Sequence, residues 1–141
     1  MGKDIKDSIR VLVAVPGIDC HERAIIVIAD ALKRAGMEVV YLGCYNTPER
    51  IVTSAIQEDV DVIALSYALD HMYLEYFPRV AKLLKEKEAH DIKIVGGGHI
   101  AEEHRDYLQE QGISGLYGPG TPLNVIVNHI KDIATGEREG L

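Results

Sequence analysis

Short apolar runs alternate with amphipathic stretches along nearly the whole of this chain, and that alternation constrains the fold more than any other feature. The first apolar run is RVLVAV at residues 10–15, and Pro16-Gly17 stops it. Between residues 21 and 35 the apolar side chains recur at three- and four-residue spacing, and a glycine follows where a helix C-cap is expected. A buried strand followed by an amphipathic helix is the repeating unit of a parallel sheet that is covered by helices on both faces.

The same unit repeats four more times along the chain. The further strands are predicted at residues 38–42, 60–66, 92–95 and 113–117. The further helices are predicted at residues 47–58, 70–87, 101–111 and from 121 onward, with a frayed polar tail from residue 135. Thr47-Pro48 and Thr121-Pro122 are predicted to cap two of these helices, and Pro78 must lie in the first turn of its helix or kink it.

Five such units in 141 residues predict one α/β domain with a flavodoxin-like (Rossmann-like), doubly wound parallel sheet of five strands in the order 2-1-3-4-5. The domain is expected to occupy residues 1–141, with a core from about residue 10 to residue 133. A single domain of this length leaves little room for both a large cofactor site and an enclosed substrate chamber.

The charge balance and the cysteine content narrow the class of protein further. Fifteen basic and 22 acidic residues give a net charge of -7, which argues against nucleic acid as a partner. The apolar runs fall far short of the ~20 residues that span a bilayer, and no apolar signal core follows the charged start. Cys20 and Cys44 lack a paired motif, which indicates reduced thiols. We therefore expect a cytoplasmic protein that contacts neither membrane nor nucleic acid.

Ligands of an open α/β sheet bind at the carboxyl ends of the strands, so the residues that follow each strand are the candidate site residues. The glycines among them leave space for a large flat or extended ligand against the backbone. The candidates are Asp19, Cys20, His21, Glu22, Arg23, Ala24, Ser66, Tyr67, Ala68, Leu69, Gly96, Gly97, Gly98, Gly118, Gly120 and Thr121. The first strand is not followed by G-x-G-x-x-G, and the third ends in Ser66 rather than an acidic residue, which disfavours a dinucleotide site and a phospho-receiver.

Asp19 and His21 form the chemical centre of this edge. A carboxylate near an imidazole can hydrogen-bond one ring nitrogen, so that the other becomes a stronger metal ligand or base. A metal held by protein alone needs three or four ligands, and a complete cage from Asp19, His21 and Glu22 is not expected because they lie so close together in the chain. A single histidine instead suits a metal that arrives chelated by an organic ring. The alternative is that His21 is only a polar residue that opens the first helix.

These motifs, taken in order, resemble the cobalamin-binding domain of adenosylcobalamin-dependent mutases, especially the acyl-CoA mutases of the methylmalonyl-CoA type. That family carries D-x-H-x-x-G after strand one, S-x-L after strand three and G-G after strand four. The matching residues here are Asp19-Cys20-His21, Ser66 and Gly96-Gly97. The sequence departs from the pattern at Ala24, where the family has glycine, and at Leu69, which is displaced by one residue.

The resemblance implies a role for each part of the site. His21 would be the lower axial ligand to the cobalt of cobalamin bound base-off, Asp19 would hydrogen-bond its imidazole, and the displaced nucleotide tail would enter a slot beside strand one. Adenosylcobalamin would supply the radical chemistry, so no residue of this chain beyond the cofactor ligand would be catalytic. The acyl-CoA substrate would lie in a larger, barrel-type mutase subunit.

The resemblance therefore implies the cobalamin-binding small subunit of a carbon-skeleton mutase. Two alternatives stay open. One is a non-catalytic corrinoid carrier or cobalamin-sensing module that serves methyl transfer or regulation. The other is an altered domain that no longer binds cobalamin.

Overall fold

Five parallel strands form one sheet in the computed structural model, which describes residues 8–136. The strands are β1 Arg10–Pro16, β2 Glu38–Asn46, β3 Val62–Tyr67, β4 Lys93–Gly98 and β5 Ile113–Tyr117. The helices are α1 Arg23–Arg34, α2 Pro48–Gln57, α3 Tyr73–Glu86, α4 Arg105–Glu110 and α5 Leu123–Thr135, and a 3-10 turn at Glu102–His104 precedes α4. The strand order is β2-β1-β3-β4-β5, which confirms the predicted flavodoxin-like fold.

Two hydrophobic layers hold the helices against the sheet. Because side chains alternate between the faces of a strand, Leu12 packs in one layer and Val13 in the other. Helices α2, α3 and α4 bury their apolar faces in the first layer, and α1 and α5 bury theirs in the second. The central strands β1 and β3 are covered on both faces, which explains why they are continuous apolar runs.

Strand β2 continues beyond Gly43, where the sequence predicted that it would end. Gly43 and Tyr45 adopt φ angles of +75° and +62°, and the register against β1 shifts over this stretch. The strand therefore bulges instead of stopping. It reaches Asn46, whose side-chain amide donates hydrogen bonds to the carbonyls of Val15 and Gly43.

The helix ends follow local hydrogen bonding. Thr47 caps α2 as predicted, and its hydroxyl accepts the Arg50 N–H at 3.0 Å. The prediction that Thr121 helps to cap the last helix is wrong, because its hydroxyl donates to the Gly118 carbonyl and Pro122 occupies the cap position.

Helix α3 begins at Tyr73 rather than at residue 70, so Pro78 is its sixth residue and lies beyond the first turn.

The frayed polar tail that the sequence predicts from residue 135 falls largely on residues 137–141, which lie outside the described residues. Between residues 8 and 136, no helix is long and apolar enough to cross a membrane.

Candidate binding groove

A groove opens at the carboxyl edge of the sheet and continues between the sheet and the helices α1 and α5. Its volume is about 510 Å³, which is within the range of roughly 300–1,000 Å³ that is common for small-molecule sites. Val13, Ala64 and Val95 are neighbours in the sheet register and form its floor. Ile28 of α1 and Ile130 of α5 line its wall. The groove is therefore an apolar slot with its polar groups near the mouth.

Most of the candidate residues line this groove. They are His21, Glu22, Arg23, Ala24, Ser66, Ala68, Gly96, Gly97, Gly98, Gly118, Gly120 and Thr121. Asp19 is buried next to His21, whereas the exposed Cys20 and Leu69 do not line the groove. The Tyr67 side chain packs in the layer on the other face, and its hydroxyl donates to Asp70. The ends of β1, β3, β4 and β5 thus meet at one opening.

Asp19 anchors the loop that carries His21. Its carboxylate is fully buried, and Oδ2 accepts the Ala68 N–H at 2.7 Å. Oδ1 accepts the His21 backbone N–H at 2.9 Å and also contacts Nδ1 of the His21 imidazole. Burial alone would raise the pKa of Asp19, but the hydrogen bonds from Ala68 and His21 outweigh burial and hold the pKa below its ordinary value. The ionised carboxylate fixes the orientation of the imidazole ring.

The His21 imidazole is presented to solvent at the mouth of the groove. Its side chain is 60% exposed, and with Nδ1 bound to Asp19 the Nε2 atom has no partner among residues 8–136. In the same part of the chain, no three His, Cys, Asp or Glu side chains lie close enough together to hold a metal ion. A metal bound to His21 would therefore have to bring its other ligands with it.

Ser66 is a buried polar residue that faces the groove. Its exposed fraction is only 6%, and no hydrogen bond joins its hydroxyl to any residue that the structure describes. Among residues 8–136, no fully buried side-chain nitrogen or oxygen lacks a partner, so the Ser66 hydroxyl is open to the groove that the residue lines. A ligand in the groove would find a hydrogen-bonding group there.

Two glycines at the end of β4 are required for different reasons. A Cβ at Gly97 would lie 3.3 Å from the carbonyl oxygen of Tyr117, and both residues line the groove. A side chain at Gly97 would therefore take space that a ligand needs. Gly98 has a φ of +125°, and a Cβ there would overlap the Tyr67 carbonyl oxygen, so the backbone of β3 excludes a side chain at this position.

The floor of the groove is not among the predicted site residues, because those residues follow the strands. Val13, Ala64 and Val95 lie within the strands, on the face toward α1 and α5. The available signal was the small size of Ala64, two residues before Ser66 and therefore on the same face of β3. Tyr117, at the end of β5, was also missed although it lines the groove.

An open α/β sheet with a slot beside β1 and a buried aspartate holding an exposed histidine defines a ligand-binding domain of the flavodoxin-like class. A cobalamin-binding protein from Desulfitobacterium hafniense DCB-2 has a similar fold, with a TM-score of 0.78 over 93% of this chain and 62% of that chain at 19% identity. The signal receiver domain of the response regulator NarL from Mycobacterium tuberculosis gives a TM-score of 0.72 over 93% and 99% of the two chains at 21% identity. These similarities show the fold alone.

The relatives in sequence are more specific. The family model described as the B12 binding domain matches residues 9–127. The chain is 40% identical to the 2-hydroxyisobutanoyl-CoA mutase small subunit of Aquincola tertiaricarbonis, over 89% of this chain and 91% of that protein. It is 34% identical to the pivalyl-CoA mutase small subunit of Xanthobacter autotrophicus, over 92% of this chain and 86% of that protein. It is also 35% identical to the methylmalonyl-CoA mutase of Rhizobium meliloti, over 94% of this chain but 18% of that protein. The chain belongs to the B12-binding domain family.

Proposed function

We propose that this chain is the cobalamin-binding small subunit of an adenosylcobalamin-dependent acyl-CoA mutase. The observation that carries the proposal is the exposed His21 imidazole, whose Nδ1 is held by the buried Asp19 and whose Nε2 has no partner among residues 8–136. The similarity to two mutase small subunits along most of their lengths supports it.

The residues of the groove fit a cobalamin. His21 would bind the cobalt through Nε2, and the Asp19 carboxylate would hold the ring through Nδ1. The Ser66 hydroxyl and the open backbone at Gly97, which both line the groove, would meet the nucleotide tail, for which the apolar floor offers a slot. When bound, adenosylcobalamin supplies the radical chemistry of a carbon-skeleton rearrangement. The part of this chain is to bind the cofactor, to orient it through His21 and to shelter its tail from water.

The edge that carries His21 also exposes large apolar side chains. The exposed fractions are 73% for Ile18, 66% for Tyr45, 46% for Leu69 and 39% for Met72. Apolar side chains gathered on one surface mark an interaction face. We infer that a larger, barrel-type subunit with the acyl-CoA site covers this edge, so that the cofactor lies between the two proteins.

A titration with hydroxocobalamin tests the axial ligand. We expect the wild type to give the absorption spectrum of base-off, histidine-ligated cobalamin, and His21→Ala to bind more weakly and without that spectrum. His90→Ala is the matched control, because His90 is exposed and does not line the groove. Equal binding and identical spectra for the wild type and His21→Ala would refute the ligand role. A wild type that binds no corrinoid, even with its large subunit present, would refute the proposed function.

A second experiment tests the partner face. Met72 and Ile56 are each 39% exposed, but Met72 lies at the edge that carries His21 whereas Ile56 lies on α2. We expect Met72→Glu to lose co-purification with an acyl-CoA mutase large subunit and to keep hydroxocobalamin binding, while Ile56→Glu keeps both. Loss of co-purification in both variants, or in neither, would contradict the assignment of this face.

A further inference from the structure

The loop that carries His21 is attached to the rest of the protein at both ends. At its start, Asp19 accepts the Ala68 N–H from the connection between β3 and α3 at 2.7 Å. At its end, the Glu22 carboxylate accepts a hydrogen bond from the hydroxyl of Tyr41 on β2. The two residues between these attachments, Cys20 and His21, are exposed. The imidazole therefore lies on a short segment that is hydrogen-bonded to two separate parts of the protein, the connection after β3 and the strand β2.

The Glu22 side chain is directed to β2 rather than to its own helix. Glu22 occupies the N-cap position of α1, and its carbonyl accepts the Ile26 N–H at 3.1 Å. Its carboxylate makes no capping hydrogen bond and instead binds Tyr41, which lies opposite Val13 in the register of β1 and β2. A Cβ at Gly43 would lie 3.7 Å from Glu22 Oε2, in ordinary contact, so the glycine leaves space around the carboxylate.

The Tyr41 hydroxyl stays protonated and is the hydrogen-bond donor of this pair. Burial and the hydrogen bond to Glu22 raise the pKa of Tyr41 to about 12. The hydroxyl thus keeps its proton throughout the neutral range and stays a donor to the Glu22 carboxylate there.

The two attachments have a different structural role from the contact between Asp19 and His21. Oδ1 of Asp19 accepts both the backbone N–H and Nδ1 of His21, so it fixes the ring relative to its own loop. A contact within the loop moves when the loop moves. The bonds to Ala68 and Tyr41 flank His21 and connect the loop to neighbouring elements, so they help to fix the position of the ring relative to the groove. Gly17 at the start of the loop is joined to β2 as well, through the Asn46 carbonyl.

We propose that Tyr41 and Glu22 are a positioning pair, which holds the C-terminal end of the His21 loop so that the imidazole stands at a fixed place over the groove. The role of the pair toward a cofactor rests on the proposed function, whereas its role in ordering the loop does not. The bond is accessible to solvent, so the expected effect is moderate. Loss of one such hydrogen bond weakens binding about fivefold.

The test compares Tyr41→Phe with Tyr107→Phe in the full chain. Both tyrosines are exposed to a similar extent, 41% and 44%, but Tyr107 lies on α4, away from the groove. We expect Tyr41→Phe alone to bind hydroxocobalamin about fivefold more weakly, with a smaller histidine-ligated fraction in the absorption spectrum. In the protein without cofactor, we expect faster amide hydrogen exchange at residues 20–22 and an unchanged melting temperature.

Substitutions of Glu22 separate its role in positioning the loop from the effect of its negative charge. Glu22→Gln keeps an oxygen acceptor for the Tyr41 hydroxyl and should restore most of the affinity and loop protection that Glu22→Ala loses. Glu22→Ala should match Tyr41→Phe, and the double variant Tyr41→Phe with Glu22→Ala should lose no more than either single variant, because the two residues act as one unit.

The outcomes distinguish this inference from the proposed function. If the wild type binds hydroxocobalamin through His21 and Tyr41→Phe equals Tyr107→Phe in affinity and in exchange, the positioning role is overturned. A lower melting temperature with faster exchange throughout the chain would also overturn it, since the pair would then be structural. If the wild type binds no corrinoid but exchange at residues 20–22 still responds to Tyr41→Phe, the proposed function fails and the positioning of the loop stands.

Discussion

Gly98 ends β4 at a position where the backbone leaves no space for a side chain. Its φ is +125°, and a Cβ there would overlap the carbonyl oxygen of Tyr67 on β3. We expect Gly98→Ala to lower the free energy of unfolding by about 3 kcal/mol, because backbone strain and steric overlap add. Gly36→Ala is the control, since Gly36 has a φ of +91° with no atom within 4 Å, and strain alone costs about 1 kcal/mol. Urea unfolding measures both losses, and equal losses would contradict the steric argument.

The surroundings of Cys44 predict how the reactivity of its thiol depends on pH. Burial, and after it the negative charges of Glu22 and Asp19, raise the pKa of the Cys44 thiol. At a given alkaline pH the thiolate fraction is therefore smaller than that of a free thiol, and the thiolate is the reactive form. We expect the alkylation of Cys44 by iodoacetamide, followed by peptide mass spectrometry, to reach its half-maximal rate at a higher pH than N-acetylcysteine amide in the same reaction. A midpoint at or below that of the free thiol would contradict the burial of this side chain.

The residues of the site differ in how far the sequence could predict them. The contact between Asp19 and His21 spans two positions, so the sequence already placed both groups in one loop. The Glu22 and Tyr41 pair joins residues 19 positions apart, and it depends on the register of β1 and β2, which the alternation of apolar residues does not define at this bulged edge.

Helix α3 contains a proline at its sixth position, which limits its stability. Pro78 has no N–H to offer the Leu74 carbonyl, and its ring crowds the preceding turn. We expect Pro78→Ala to raise the free energy of unfolding by about 1 kcal/mol, less than the ~3 kcal/mol difference in helix propensity, because alanine also frees the unfolded chain. Denaturant unfolding measures the change. A loss of stability would show that the proline ring contributes packing that outweighs the missing hydrogen bond.

The helices and strands were predictable because each follows a local pattern of apolar residues. Some of their ends depend instead on contacts between residues that are distant in sequence. The apolar period distinguishes β1 from α1 without any knowledge of their neighbours. The end of β2 depends instead on Asn46, whose amide binds the Val15 carbonyl and whose carbonyl accepts the Gly17 N–H. These partners are distant in sequence, so the local pattern predicts that β2 stops at Gly43, whereas the strand bulges there and continues.

At the scale of the whole molecule, the groove and one half of the core share the same residues. Ile25 of α1 and Ile126 and Ile130 of α5 belong to the hydrophobic layer on that face, and all three also line the groove. The layer of α2, α3 and α4 has no comparable overlap with the groove. A ligand in the slot would therefore add apolar contacts to the layer that α1 and α5 form, and binding would be coupled to the stability of the fold.

This coupling predicts a thermal shift. With hydroxocobalamin at about one hundred times its dissociation constant, the native state gains about 2.7 kcal/mol, which raises the melting temperature of a domain of this size by roughly 10 °C. Ala64→Leu should lose most of this shift, because the added side chain occupies the floor of the groove where the ligand would lie. Differential scanning calorimetry with and without the corrinoid measures both proteins. A shift in Ala64→Leu as large as that of the wild type would mean that the ligand contacts the loop without entering the slot between the sheet and the helices α1 and α5. An unchanged melting temperature of the wild type would mean that the corrinoid does not bind the native state in preference to the unfolded chain.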